Sequence, residues 1–149
     1  MSLIKNKKAT FNYEVLEKYE AGVKLQGFEV KAVRAGNGSL AGAFVKIETG
    51  QAYLVNAYIA PYQPANTPKE YDPYQKRKLL LNNKELRFLI GKQKEKGLTL
   101  IPISLYNKKG RIKLELALAR GKKKHDKRQV IKKRDTEREV KRDFKERLK

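Results

Sequence analysis

The stretch Ile101-Pro102-Ile103-Ser104-Leu105-Tyr106-Asn107-Lys108-Lys109-Gly110-Arg111-Ile112-Lys113-Leu114-Glu115-Leu116-Ala117-Leu118 decides the fold class. Ile101, Ile103 and Leu105 alternate with other residues on one side of Asn107-Lys108-Lys109-Gly110. Ile112, Leu114, Leu116 and Leu118 alternate on the other, with Lys113 and Glu115 pointing the opposite way. A period of two on both sides of a turn-rich tetrapeptide predicts a long antiparallel hairpin with one buried and one polar face. Pro102 lacks a backbone N–H, so it predicts an edge strand or a bulge.

Working outward, Val45 and Ile47 alternate up to Thr49-Gly50, and Tyr53 and Val55 run on towards Ile59, a second hairpin about that glycine. Residues 9–19 alternate well enough to be a first strand. Two helices interrupt the pattern. One opens at Asn83, read as the N-cap, carries Leu86, Leu89 and Ile90 on one face and stops near Gly97. The other holds Leu25, Phe28, Ala32 and Val33 and ends at Gly36-Asn37-Gly38. Pro61 to Pro73 reads as a long irregular loop. Short strands with two or three helices in about 110 residues predict a mainly β fold, a small closed or nearly closed antiparallel barrel.

The charge divides the chain in two. Of 149 residues, 36 are Lys or Arg and 16 Asp or Glu, a formal net charge of +20. Residues 1–119 hold 21 basic and 10 acidic side chains among nearly all the apolar ones. Residues 120–149 hold 15 and 6, with only Val130, Ile131, Val140, Phe144 and Leu148 as sizeable apolar groups. Such a segment buries too little apolar surface to offset its ordering entropy. The expectation is a globular body, 1–119, and a basic tail, 120–149, disordered until it binds. Val140, Phe144 and Leu148 at four-residue spacing give that tail a thin apolar stripe, which reads either as a helix that forms on a polyanionic surface or as a solvated tail that only raises affinity.

Composition also excludes classes. The absence of cysteine removes disulfides, thiolate nucleophiles and Cys-based zinc sites, and a lone His125 cannot build a multi-histidine metal centre. No apolar run approaches the roughly 20 residues of a membrane span, and Met1-Ser2-Leu3-Ile4-Lys5 does not resemble a secretory signal. The expectation is a cytoplasmic protein without membrane, metal or cofactor. Gly36-x-Gly38-x-x-Ala41 matches a dinucleotide fingerprint only on paper, because the helix precedes it and the strand follows. Carboxylates such as Glu14, Glu17, Glu20, Glu29 and Asp72 show no spacing that singles out an acid and a base. A metal-dependent nuclease built on clustered acids is the enzymatic alternative, and a generic RNA-binding barrel the structural one.

Nucleic-acid binding is where residue type and arrangement agree. Lys5, Lys7 and Lys8 open the chain, Lys24, Lys31 and Arg34 punctuate the first helix, and Lys76-Arg77-Lys78 precede Leu79-Leu80-Leu81. Cations in this number neutralise phosphates and release counterions. Tyr13, Tyr53, Tyr58, Tyr62 and Tyr106, in or beside strands, either stack on bases or pack the barrel core and rim.

Asn6-Lys7-Lys8-Ala9, Glu20-Ala21-Gly22-Val23-Lys24-Leu25-Gln26-Gly27-Phe28-Glu29-Val30-Lys31, Arg34-Ala35-Gly36, Pro61-Tyr62, Asp72-Pro73, Arg77-Lys78-Leu79-Leu80-Leu81, Pro102 with Leu105-Tyr106, and Gly121-Lys122-Lys123-Lys124-His125-Asp126-Lys127-Arg128 together resemble the bacterial SsrA-binding protein family, in order from residue 6 to about 142. The resemblance implies an oligonucleotide-binding (OB-type) barrel that binds the tRNA-like domain of transfer-messenger RNA (tmRNA). The complex then goes to stalled ribosomes for trans-translation, which tags the nascent peptide for degradation. Protein and RNA together mimic a tRNA, the protein replacing the anticodon arm. Elongation factor Tu and alanyl-tRNA synthetase are implied as partners through the RNA.

Position by position, the resemblance places Asn6, Glu20 and Leu80 at the RNA elbow, with Lys7, Arg34 and Lys78 as phosphate contacts. A carboxylate such as Glu20 accepts from base N–H groups or a 2′-hydroxyl, or it pairs with Lys24 instead. Leu80 is an apolar contact under an unstacked base, or core. Gly121, Lys122, Lys123, His125, Asp126, Lys127 and Arg128 are implied at the decoding centre in 16S rRNA, and Gln129 to Lys149 in the empty mRNA channel. The chain departs from the family at Gly42-Ala43-Phe44, where an Asp-Ser-Tyr-like triplet is frequent, and at Phe28, where Trp or Tyr is common.

Overall fold

The computed structural model describes residues 2–62 and 67–121; residues 122–149, with the implied decoding-centre residues beyond Gly121 and the conditional helix, lie outside the described residues. In chain order the elements are β1 (Ser2–Lys5), α1 (Ala9–Asn12), β2 (Tyr13–Val23), α2 (Gly27–Arg34), β3 (Gly38–Ser39), β4 (Phe44–Glu48), β5 (Gln51–Val55), β6 (Tyr58–Ile59), β7 (Arg77–Leu80), α3 (Asn83–Gln93), β8 (Leu98–Lys108) and β9 (Arg111–Gly121). Seven strands form one antiparallel sheet in the order β1-β8-β9-β2-β7-β5-β4, and β3 pairs with β6 in a second, two-stranded one. Among the described residues the architecture is therefore mainly β with two helices of eight or more residues and one short helical turn. Of the expected closed or nearly closed barrel, the antiparallel sheet is present without closure: β1 and β4 are edges, and among the described residues no ladder joins them.

The decisive hairpin forms as predicted, with a tighter turn. Lys108 pairs with Arg111, so only Lys109 (φ 51°) and Gly110 (φ 78°) make the connection. Both central residues of a two-residue type I′ turn need positive φ, and its twist matches that of the flanking strands. Thr49-Gly50 repeats the solution between β4 and β5.

Pro102 sits at a bulge and, locally, at an edge: β1 pairs only with Ser104, Leu105 and Tyr106, so at Pro102 strand β8 has a ladder partner on the β9 side alone. Pro102 pairs with Leu116 and Ser104 with Glu115, leaving Ile103 as the extra residue. A bulge shifts the phase of side-chain alternation. Leu100 and Leu105, five positions apart, consequently share the main core, while Ile101 and Ile103 face the other side. The single-face reading of Ile101, Ile103 and Leu105 is corrected accordingly. On β9, Ile112, Leu114, Leu116 and Leu118 enter the main core as expected. Ala117 and Ala119 join Ala9 and Ile101 in a smaller cluster on the opposite face, where small side chains let α1 approach the sheet.

Residues 9–19 are corrected from one strand to a helical turn followed by β2. A second bulge, at Leu16, leaves that side chain 44% exposed. Helix α2 starts at Gly27, so Leu25 precedes it. Gln26 caps it reciprocally with Glu29, and the chain leaves through Gly36 at φ 76°. For α3 the N-cap is Asn82, one residue before the expected Asn83, its side chain accepting from the Glu85 N–H at 2.8 Å. The run from Tyr53 to Ile59 breaks at Asn56 (φ 62°), and Tyr58–Ile59 joins β3 instead.

Candidate nucleic-acid interface

Pairing register places Leu80 on β7, Gly22 on β2, Lys113 on β9 and Tyr106 on β8 in one cross-sheet row. Residues directly opposite in antiparallel ladders share a face, so these project from the side away from Leu79, Ala21 and Leu114, which are all in the core. The row spans three strand intervals, about 14 Å at the usual strand spacing. Its middle is notched because Gly22 has no side chain. A Cβ there would lie 3.3 Å from the Leu80 Cβ. Leu80 is 55% exposed, which decides against its reading as core. The notch continues into a groove of about 220 Å³ lined by Leu25, Val30 and Ile112 with Arg111 and Lys113 at its rim.

Glu20 stands one pleat along β2 and reaches diagonally across β9. Its carboxylate accepts from the Tyr106 hydroxyl and from Lys108 Nζ, 3.2 Å from each oxygen. The alternative partner, Lys24, is not among them. These two donors, with the positive charge of Lys108 and Lys113, hold the Glu20 carboxyl below the usual carboxylate range. Burial, and then the bond to Glu20, push the Tyr106 hydroxyl well above its ordinary value. Directly opposite Glu20 lies Glu115. Like charges facing across a ladder repel, and here each has a separate cation: Lys108 for Glu20 and Lys18, at 3.4 Å, for Glu115.

Arg34 donates from Nη2 to the Gly110 carbonyl at 2.8 Å, tying α2 to the β8–β9 turn beside the groove. Lys78, two residues before Leu80, shares its face and lies opposite Tyr53. Four of the expected RNA-contacting residues, Glu20, Arg34, Lys78 and Leu80, thus gather around the notch. Asn6 and Lys7 do not. Asn6 Nδ2 donates to the Pro102 carbonyl at 2.9 Å and its backbone N–H to Ile103 at 2.8 Å, so it pins the β8 bulge, with Lys7 exposed beside it. Gly121 is the last residue of β9, paired with Tyr13; the strand thus passes the expected boundary after Ala119.

Arg77 is corrected outright. The run Lys76-Arg77-Lys78 predicts a phosphate-binding cation there, but Arg77 is 2% exposed and inside the protein. Its Nε donates to Glu29 at 2.7 Å, Nη1 to the Ala57 carbonyl at 2.7 Å, and Nη2 to the Tyr71 hydroxyl and the Pro73 carbonyl. Strand alternation already placed Arg77 in phase with the core residue Leu79, which was the available signal. The tyrosines divide similarly. Tyr53 lies under Lys76, Tyr62 packs on the core, and Tyr58 meets Tyr74, which at 55% exposure is the open ring that sequence reading passed over. Among the described residues, no three His, Cys, Asp or Glu gather as a metal-dependent nuclease would require. No helix there is long and apolar enough to cross a membrane.

A basic antiparallel sheet with a groove beside Gly22, an ionised carboxylate and an exposed leucine among lysines defines a nucleic-acid-binding protein of the β class. Residues 3–146 match the family model described as "SmpB protein". The chain is 50% identical over 144 residues to the "SsrA-binding protein" of Persephonella marina, covering 97% of this chain and 94% of that one. It is 50% identical over 145 residues to that of Thermosynechococcus vestitus, covering 97% and 95%. A solved structure named "tmRNA-SmpB: a journey to the center of the bacterial ribosome" contains a chain similar at a TM-score of 0.66 and 50% identity, over 80% of this chain and 84% of that one. The chain belongs to the SmpB, or SsrA-binding protein, family.

Proposed function

We propose that the protein is a non-enzymatic RNA-binding adaptor that binds tmRNA and acts with the ribosome in trans-translation. The row Leu80–Gly22–Lys113–Tyr106 with Glu20 upon it carries this reading. An apolar side chain beside a notch can lie under one unstacked base, an ionised carboxylate accepts from base N–H groups, and the surrounding lysines neutralise phosphates. The bulges at Leu16 and Ile103 curl the sheet towards the curvature of an OB-type barrel, a platform suited to RNA.

The finer assignment gives the tRNA-like domain of tmRNA to this face, with Glu20 and Leu80 reading it, Lys78 on phosphate and Arg34 holding the hairpin turn. Asn6 shapes the edge beside Lys7. Residues 120–149 supply the second unit, its first two residues still paired in β9, with Gly121 to Arg128 directed at the decoding centre and the remainder at the mRNA channel. Their net charge of +9 suits surroundings made of RNA. Elongation factor Tu and alanyl-tRNA synthetase then meet the protein only through the RNA, in the cytoplasm.

Peptide tagging on stalled ribosomes tests the division. Full-length protein and a truncation after Gly121 are expected to bind the tRNA-like domain similarly, with only full-length protein supporting tagging. Equal tagging by both would remove the tail's role. A generic RNA-binding barrel would instead bind unrelated RNAs equally at moderate salt.

A further inference from the structure

We propose that Tyr106 and Lys108 are positioning residues that aim the Glu20 carboxylate at the N–H donor edge of an unstacked base and so set the specificity of this face. The proposal rests on the reading of the face as an RNA site and adds two residues to it.

The geometry supplies the argument. Glu20 and its holders come from strands separated by β9, 86 and 88 residues apart in sequence, and meet over the outer face. A glutamate on an exposed strand ordinarily samples several rotamers, and fixing it costs entropy at the moment of binding. Here that cost is met on folding. A carboxylate has about four lone-pair sites. The Tyr106 hydroxyl occupies one on Oε2, and Lys108 Nζ straddles both oxygens. Acceptor capacity therefore remains, chiefly on Oε1, and the Glu20 side chain is 39% exposed, open to a ligand. The charged groups facing it are Lys108 on β8, Lys113 and Glu115 on β9 and Lys18 on β2. Glu115 repels it and is itself held by Lys18, so Tyr106 and Lys108 fix the direction in which Glu20 remains an acceptor. A single amino group, as on cytosine N4 or guanine N2, is the donor that this remaining acceptor position selects.

The test is a double-mutant cycle on full-length protein, with the transcribed tRNA-like domain of tmRNA as probe and ordinary tRNA as competitor, across a salt series. Tyr106→Phe is expected to weaken binding roughly three- to tenfold, within the range that coupled neighbours show, and to cost nothing further in a Glu20→Gln background. Its salt slope stays that of the wild type, because no phosphate contact is lost. Lys108→Gln is the second variant. In both, the acid midpoint below which binding is lost rises, since a carboxyl without its donors protonates at higher pH, an effect that a purely structural role would not produce. Inosine in place of guanine, and uracil in place of cytosine, at contacted positions tell the two donor edges apart. Additive effects of Tyr106→Phe and Glu20→Gln, or unchanged affinity and midpoint in both single variants, would overturn the proposal while leaving the RNA-site reading intact. A wild type that does not prefer the tRNA-like domain over tRNA would overturn both.

Discussion

Arg77 Nε lies 2.7 Å from Glu29 Oε2 with both side chains 1% exposed, and this buried pair joins α2, on one side of the interface, to β7, which carries Lys78 and Leu80. Breaking such a pair leaves an uncompensated buried charge, which costs about 3–5 kcal/mol. Arg77→Met is therefore expected to lower unfolding free energy by about that amount in a denaturant titration. Arg77→Lys does not restore it, because a lysine cannot reach Glu29, Ala57, Tyr71 and Pro73 with one planar fork.

The same network makes stability sensitive to alkali. Burial, then the charge of Glu29, push the Tyr71 hydroxyl up from 10.0 to about 12. Its contribution is complete below the unfolded value and is lost as pH rises through the folded one. Unfolding free energy should therefore hold up to about pH 10 and decline towards pH 12. Tyr71→Phe should make that decline shallower. A Tyr71→Phe curve parallel to the wild type would show that this hydroxyl has the same pKa in the folded and unfolded protein.

Gly38 is irreplaceable for a steric reason. A Cβ there would lie 2.7 Å from the Tyr58 carbonyl and 2.8 Å from Ile4 Cδ1, and the carbonyl belongs to the paired strand β6. Gly38→Ala is expected to cost about 1–3 kcal/mol, the usual range for overpacking, measured by chemical denaturation.

Much of this was legible in the sequence because local patterns encoded it. The alternation in β9, the two turns and the end of α2 before Gly36 needed no knowledge of tertiary contacts. The rest depended on register. One extra residue at Ile103 moves Leu105 to the face opposite Ile101, and no periodicity count locates such a slip beforehand. In the same way Glu20 and Tyr106 are neighbours only once β9 lies between them. The charge of the run Lys76-Arg77-Lys78 predicts a surface position for Arg77, whereas its phase with Leu79 puts it inside.

Asn6 and Leu80 should separate under mutation although both are expected RNA residues. Asn6→Ala removes a bond to the Pro102 carbonyl, and about 1 kcal/mol of stability should go with it. Leu80→Ala removes a side chain that is already half in solvent, so unfolding should change by less than about 0.5 kcal/mol. RNA affinity should fall in both. A Leu80→Ala protein as strongly destabilised as a core truncation would return Leu80 to the interior.

Competition between the tRNA-like domain of tmRNA and ordinary tRNA, at fixed moderate salt, tests the central claim most directly. The account predicts that wild-type protein prefers the tRNA-like domain. It also predicts that Leu80→Ala and Glu20→Gln reduce that preference while retaining the salt-dependent binding supplied by the remaining lysines. A wild-type protein that binds both RNAs equally, or variants with undiminished preference, would contradict it.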